Sequence, residues 1–141
     1  MNPLSTVTFS LLTLSFAAQT GVYSQERDRT KIPDQHKWDL THIYPSEDAW
    51  KREKEKLVGE LSSIEHYRGK LRLGARQLRE CLDLVTRLSK EYARLSTYAS
   101  MSSDQDTRDP KYLSLVQELS QIGSTFAAKA AFIEPEILKI E

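Results

Sequence analysis

The sequence predicts an all-α protein, an antiparallel bundle of three long helices preceded by an extended N-terminal arm. Three observations carry this. Residues 75–101 place Leu78, Cys81, Leu82, Val85, Leu88, Tyr92, Leu95 and Ala99 at helical i+3, i+4 and i+7 spacings. Residues 110–133 repeat that pattern with Tyr112, Leu115, Val116, Leu119, Ile122, Phe126, Ala127, Ala130 and Ile133. The doublets Cys81-Leu82 and Leu84-Val85 break the alternation a strand requires. The central helix would extend about 40 Å, and its apolar stripe must be covered by the periodic segments on either side.

The bulk properties agree. The chain has 141 residues, 39% hydrophobic and 28% charged, which suits one soluble helical domain. Twenty basic and 20 acidic residues are interspersed, so there is no electrostatic footprint for nucleic acid or for an anionic membrane surface. One cysteine excludes an intrachain disulfide.

Residues 1–24 carry no Lys, Arg, Asp or Glu, and residues 7–18 (VTFSLLTLSFAA) form an apolar run of 12. A spanning helix takes about 20 apolar residues, so this run reads as an export signal. Ser15 and Ala17, or Val22 and Ser24, would frame its cleavage site. The n-region offers only the α-amino charge, as an untranslocated leader also would. Residues 25–37 turn polar and read as a linker, and residues 38–141 form the helical domain. With that signal the expected location is periplasmic or extracellular, with no membrane association once it is cleaved; with an untranslocated leader it is cytoplasmic.

The arm comes first. Pro45 biases Tyr44 away from helix, so residues 38–45 (WDLTHIYP) are expected to turn or extend, with Trp38, Ile43 and Tyr44 stapling the bundle. Ser46 offers an N-cap, with Glu47 and Asp48 in the first turn. The first helix is expected over residues 47–68, with Trp50, Leu57, Leu61 and Ile64 as its stripe and KREKEK as a solvated face. Glu47–Lys51 has the favourable i, i+4 order. Gly59 weakens the middle, and Gly69 is the expected C′ residue. A four-residue connection leads to the central helix, which is expected to end near Ser102. Asp109-Pro110 reads as an N-cap followed by proline at the first position of the third helix. Gly123 and its neighbouring alanines permit close approach. Glu134-Pro135 interrupts the pattern, and residues 136–141 open a further apolar segment, as a truncated domain would.

The catalytic inventory is thin. His36, His42 and His66 have no partner at a metal-ligand spacing, and neither His-Glu-x-x-His nor Cys-x-x-Cys occurs. Cys81 lies on the apolar stripe and reads as a buried thiol. Asp104-Gln105-Asp106 begins like a calcium loop, but Arg108 stands at position 5 and the glycine is missing, so it reads as a polar loop. No catalytic, cofactor-binding or metal residue is assigned.

Three stretches carry a resemblance. Residues 38–46 (WDLTHIYPS) with Trp50, residues 94–112 (RLSTYASMSSDQDTRDPKY) and residues 132–138 (FIEPEIL) are similar to the N-terminal region of the oligoendopeptidase F family, zinc metallopeptidases related to thimet oligopeptidase. The likeness covers residues 38–141. It implies a longer helical protein with a deep channel for short unfolded peptides. In such a protein the N-terminal domain forms part of the channel wall. A later catalytic domain, absent here, supplies His-Glu-x-x-His, a further glutamate ligand and zinc. There zinc polarises the scissile carbonyl and the motif's glutamate activates water. No residue of this chain matches those positions, so zinc is expected only with the full-length relative and this chain alone is expected to be inactive. Two departures stand out: family members are commonly cytosolic, and the catalytic part is not in the sequence. An exported helical module that binds a peptide or partner protein without enzymatic activity is the competing expectation; a residual product with no function is a third.

Overall fold

Ser46 starts the first helix as the sequence indicates: its Oγ accepts a hydrogen bond from the Ala49 amide at 3.2 Å. In the computed structural model, which describes residues 31–140, that helix is α1 (Glu47–Glu60). It is followed by α2 (Ala75–Gln105), α3 (Pro110–Ala130) and a short α4 (Ile133–Ile137). Among the described residues there is no strand, and the all-α expectation holds. No described helix is long and apolar enough to cross a membrane. The signal expected in residues 1–24 lies outside the described residues, as do residues 25–30 of the linker.

Three boundaries differ from expectation, each for a local reason. The first helix does not run to residue 68 as an α-helix. It tightens after Gly59 into a 3₁₀ segment, Leu61–Tyr67. In α geometry the stripe through Leu57, Leu61 and Ile64 would continue at Arg68, whereas three residues per turn brings Leu61, Ile64 and Tyr67 onto one side. Leu61 and Ile64 are accordingly buried. Gly69 then takes the left-handed φ of 78° that stops the chain, as expected of a C′ glycine.

The central helix continues one turn past Ser102. That serine is small enough to occupy the buried stripe, and its Oγ donates to the Tyr98 carbonyl at 2.7 Å. At the other end of the loop Asp109 caps α3, its carboxylate accepting from the Lys111 amide at 2.9 Å. The third helix stops at Ala130, short of Ile133. Glu134-Pro135 opens α4, where an early proline forfeits no helical hydrogen bond. Glu136 fastens α4 by accepting from the Gly69 amide at 2.6 Å and the Leu71 amide at 3.4 Å.

Two registers organise the packing. Contacts between α1 and α2 run in reverse order: the Trp50 indole N–H donates to the Leu95 carbonyl at 3.0 Å, and Glu60 pairs with Arg87. Contacts with α3 keep one offset. Glu47 pairs with Lys111, Lys54 with Glu118 and Glu65 with Lys129, in every case 64 residues apart. Between these helices Trp50, Ile64, Leu71, Leu88, Leu95 and Cys81 are completely enclosed. Each leucine-sized side chain so buried contributes about 1.5–3 kcal/mol.

The arm is compact. Asp39 caps a 3₁₀ turn (Leu40–His42), accepting from the Thr41 amide at 3.0 Å. Tyr44 is the buried staple, and Ile43 packs beside it. Trp38 does not share that role. The residue is 52% exposed, and it is held through its carbonyl, which accepts from the Gln105 side chain at 3.1 Å.

Candidate functional site

Pro45 redirects the chain so that Tyr44 enters the bundle at one end of α1 and α2. Its ring meets Tyr98 edge-on at 5.6 Å, and Tyr98 in turn stacks on Trp50 at 6.3 Å. The Arg94 guanidinium lies 4.6 Å above the Tyr44 ring and donates to the Ile43 carbonyl at 2.6 Å. Beside this cluster a cleft of about 420 Å³ opens between α1 and α2. The buried side chains of Leu57 and Leu88 line its floor. Charged residues rim it, Arg52, Glu53, Lys56 and Glu60 from α1 and Arg87, Glu91 and Arg94 from α2.

Four of the six residues of the KREKEK run therefore do more than face solvent. Arg52, Glu53 and Lys56 line the cleft, while Lys54 is only 14% exposed in its pair with Glu118. Within the rim, Arg87 is paired with Glu60, and Glu53 lies 3.6 Å from Lys56. Arg52 and Glu91 make no ion pair or hydrogen bond among the described residues. The Tyr44 hydroxyl is buried without a hydrogen-bond partner. Burial pushes this phenol up from its ordinary value, against the Arg94 charge and with the help of Glu91 and Glu53. An unsatisfied buried polar group costs about 1–3 kcal/mol.

A second groove of similar volume lies between α1 and α3. It is lined by Val58, Leu61, Ile122 and Thr125, and the Lys54–Glu118 pair stands beside it. Of its charged lining residues, Lys54, Glu55 and Glu118, the first and last are spent on each other.

Residues weighed for metal or nucleophilic chemistry do not converge. His36, His42 and His66 are exposed on separate turns. His42 lies 3.5 Å from Asp39 at the surface. Cys81 is fully buried, as its stripe position indicates, and burial followed by the Glu136 charge raises its thiol above the ordinary value. Asp104 and Gln105 belong to the last turn of α2, and the Asp106 carboxylate binds the Arg108 side chain at 2.9 Å. Among the described residues no three His, Cys, Asp or Glu side chains gather to hold a metal ion, so the described residues do not fit a zinc centre.

The cleft itself was not legible in the sequence. Its walls come from segments that are adjacent only after folding, and its charges read individually as solvated.

No family model and no solved structure matches the chain. Curated relatives do. The chain is 34% identical over 118 residues to "Oligopeptidase PepF" of Bacillus subtilis (strain 168), which covers 84% of this chain and 18% of that protein. It is 36% identical over 115 residues to "Oligoendopeptidase F, plasmid" of Lactococcus lactis subsp. cremoris, covering 81% and 19%. To "Group B oligopeptidase PepB" of Streptococcus agalactiae serotype III (strain NEM316) it is 27% identical over 113 residues, covering 80% and 19%. The chain thus spans about a fifth of the length of these relatives. Over the stretch it shares with them, this chain belongs to the oligoendopeptidase F family.

Proposed function

We propose that this chain is the N-terminal, channel-wall domain of an oligoendopeptidase F-like zinc metallopeptidase that acts on short peptides, and that it is inactive by itself. The observation that carries the reading is the similarity to proteins named oligopeptidases across four-fifths or more of this sequence. It favours this reading over a free-standing binding module. The all-helical architecture is compatible with a wall element, and Leu73, Leu138 and Ile140 leave apolar surface exposed beside α4 for a neighbouring domain. Catalysis would come from a partner domain that supplies the zinc ligands and the general base, so no chemical step is assigned to residues of this chain. Export through residues 1–24 belongs to the same proposal.

A domain exchange tests it. Residues 38–141 replace the aligned segment of the Bacillus subtilis relative, and the hybrid is assayed on a fluorogenic oligopeptide. The expected result is a folded hybrid that still cleaves. A hybrid with native-like helicity and full zinc occupancy but no cleavage overturns the channel-wall role.

A further inference from the structure

We infer that the α1–α2 cleft is a binding site for a free α-amino acid with an apolar side chain. Three groups there lack partners, and they differ in kind. Arg52 on α1 is an unpaired cation, Glu91 on α2 is an unpaired carboxylate, and the Tyr44 hydroxyl is a buried polar atom without a hydrogen bond. The remaining charges of the rim are already engaged. Arg87 holds Glu60, Lys56 lies near Glu53, and Arg94 is committed to the Ile43 carbonyl and the Tyr44 ring. A ligand with one positive and one negative group satisfies what is left, whereas a purely anionic or cationic ligand leaves one wall unpaired.

The helix register sets the orientation. With Trp50 opposite Leu95 and Glu60 opposite Arg87, Arg52 lies toward the Arg94 and Tyr44 end, and Glu91 lies nearer the middle. The ligand's carboxylate therefore belongs with Arg52, at the Tyr44 end of the cleft. A guanidinium matches a carboxylate through paired hydrogen bonds. The ammonium belongs with Glu91, and the side chain covers Leu57 and Leu88 on the floor. The volume of about 420 Å³ falls in the range of small-molecule sites and exceeds what water alone requires. This recognition does not depend on the peptidase reading, and either stands if the other fails.

The test is an NMR titration of the isotope-labelled full chain with L-leucine, N-acetyl-L-leucine and L-leucinamide. The blocked compounds keep one charge each and mimic the two ends of a peptide. L-Leucine is expected to shift the amides around Tyr44, Leu57, Leu88 and Glu91 with a Kd of about 1 mM, and each blocked compound to bind about tenfold more weakly. Glu91→Gln should remove the preference for leucine over N-acetyl-leucine, and Arg52→Gln the preference over leucinamide. Neither side chain has a partner to lose, so both variants are expected to melt like the parent. Absence of leucine shifts in the cleft overturns the proposal. So does equal binding of either blocked compound, because one charge would then suffice, or undiminished leucine binding by both variants.

Discussion

Tyr92 closes directly onto Gly123. Its hydroxyl donates to the Leu119 carbonyl at 3.1 Å, and a Cβ added at residue 123 would stand 2.8 Å from its Cζ, with the hydroxyl nearer still. The same ring meets Phe126 edge-on at 6.4 Å, so it cannot swing away without disturbing the α2–α3 seam. Gly123→Ala gains about 1 kcal/mol of helix propensity but overpacks a seam where such changes cost about 1–3 kcal/mol. It also endangers the Tyr92 hydrogen bond. The expected outcome in urea denaturation is a net loss of about 1–2 kcal/mol. Combining it with Tyr92→Phe should recover part of that loss, and strict additivity of the two changes would contradict the contact.

Much of this seam was legible in the sequence. The stripe of α3 and the position of Gly123 pointed to a close approach, and Asp109-Pro110 marked the start of α3 correctly. What periodicity could not reveal was the change of helical pitch after Gly59. Leu61 and Ile64 satisfy α and 3₁₀ spacing equally, and only the partial burial of Tyr67 in place of Arg68 separates them. Trp38 misled for a related reason, since a large ring in an aperiodic arm signals burial by composition alone. The cleft stayed hidden because Arg94 lies 51 residues along the chain from Ile43, whose carbonyl it binds. No local pattern joins such positions.

Trp50 is the anchor of the α1–α2 contact. It is wholly buried, stacked on Tyr98, and its indole N–H is spent on the Leu95 carbonyl. Trp50→Ala should destabilise the chain by about 3–5 kcal/mol, the range for emptying a large aromatic site. Trp50→Phe keeps most of the apolar volume and loses the hydrogen bond, so a smaller loss of about 1–3 kcal/mol is expected. Chemical denaturation followed by circular dichroism separates the two.

Glu47 links α1 to α3 and predicts a one-sided acid sensitivity. Hydrogen bonds from Lys111 first and Lys51 second hold its carboxyl below the ordinary value of 4.5. A carboxyl lowered by folding stabilises fully above that ordinary value, and its contribution disappears as pH falls through the folded one. Lys111 and Lys51 are raised above 10.5 by the same contacts, so their share persists below 10.5 and fades only as pH climbs beyond it. Melting temperatures should therefore be level from neutral pH down to about 5 and fall below it. Glu47→Gln should melt a few degrees lower at neutral pH, also losing a charge that favours the helix N-terminus, and should show a shallower acid decline. An unchanged acid slope in that variant would show that the Lys111 and Lys51 contacts contribute nothing to it.

Cys81 reports on the integrity of the core without perturbing it. The thiol is fully enclosed, and burial together with the Glu136 charge disfavours the reactive thiolate. Access to a thiol reagent then requires opening of the structure around α2, so the reaction rate follows the population of opened chain. At mildly alkaline pH the native chain should react at least about a hundredfold more slowly than the urea-unfolded chain, as a core whose opening costs several kcal/mol requires. Gly123→Ala and Trp50→Ala should accelerate the reaction in the order of their destabilisation. Rapid stoichiometric labelling of the native parent would place Cys81 at the surface and contradict the packing of α2 described above.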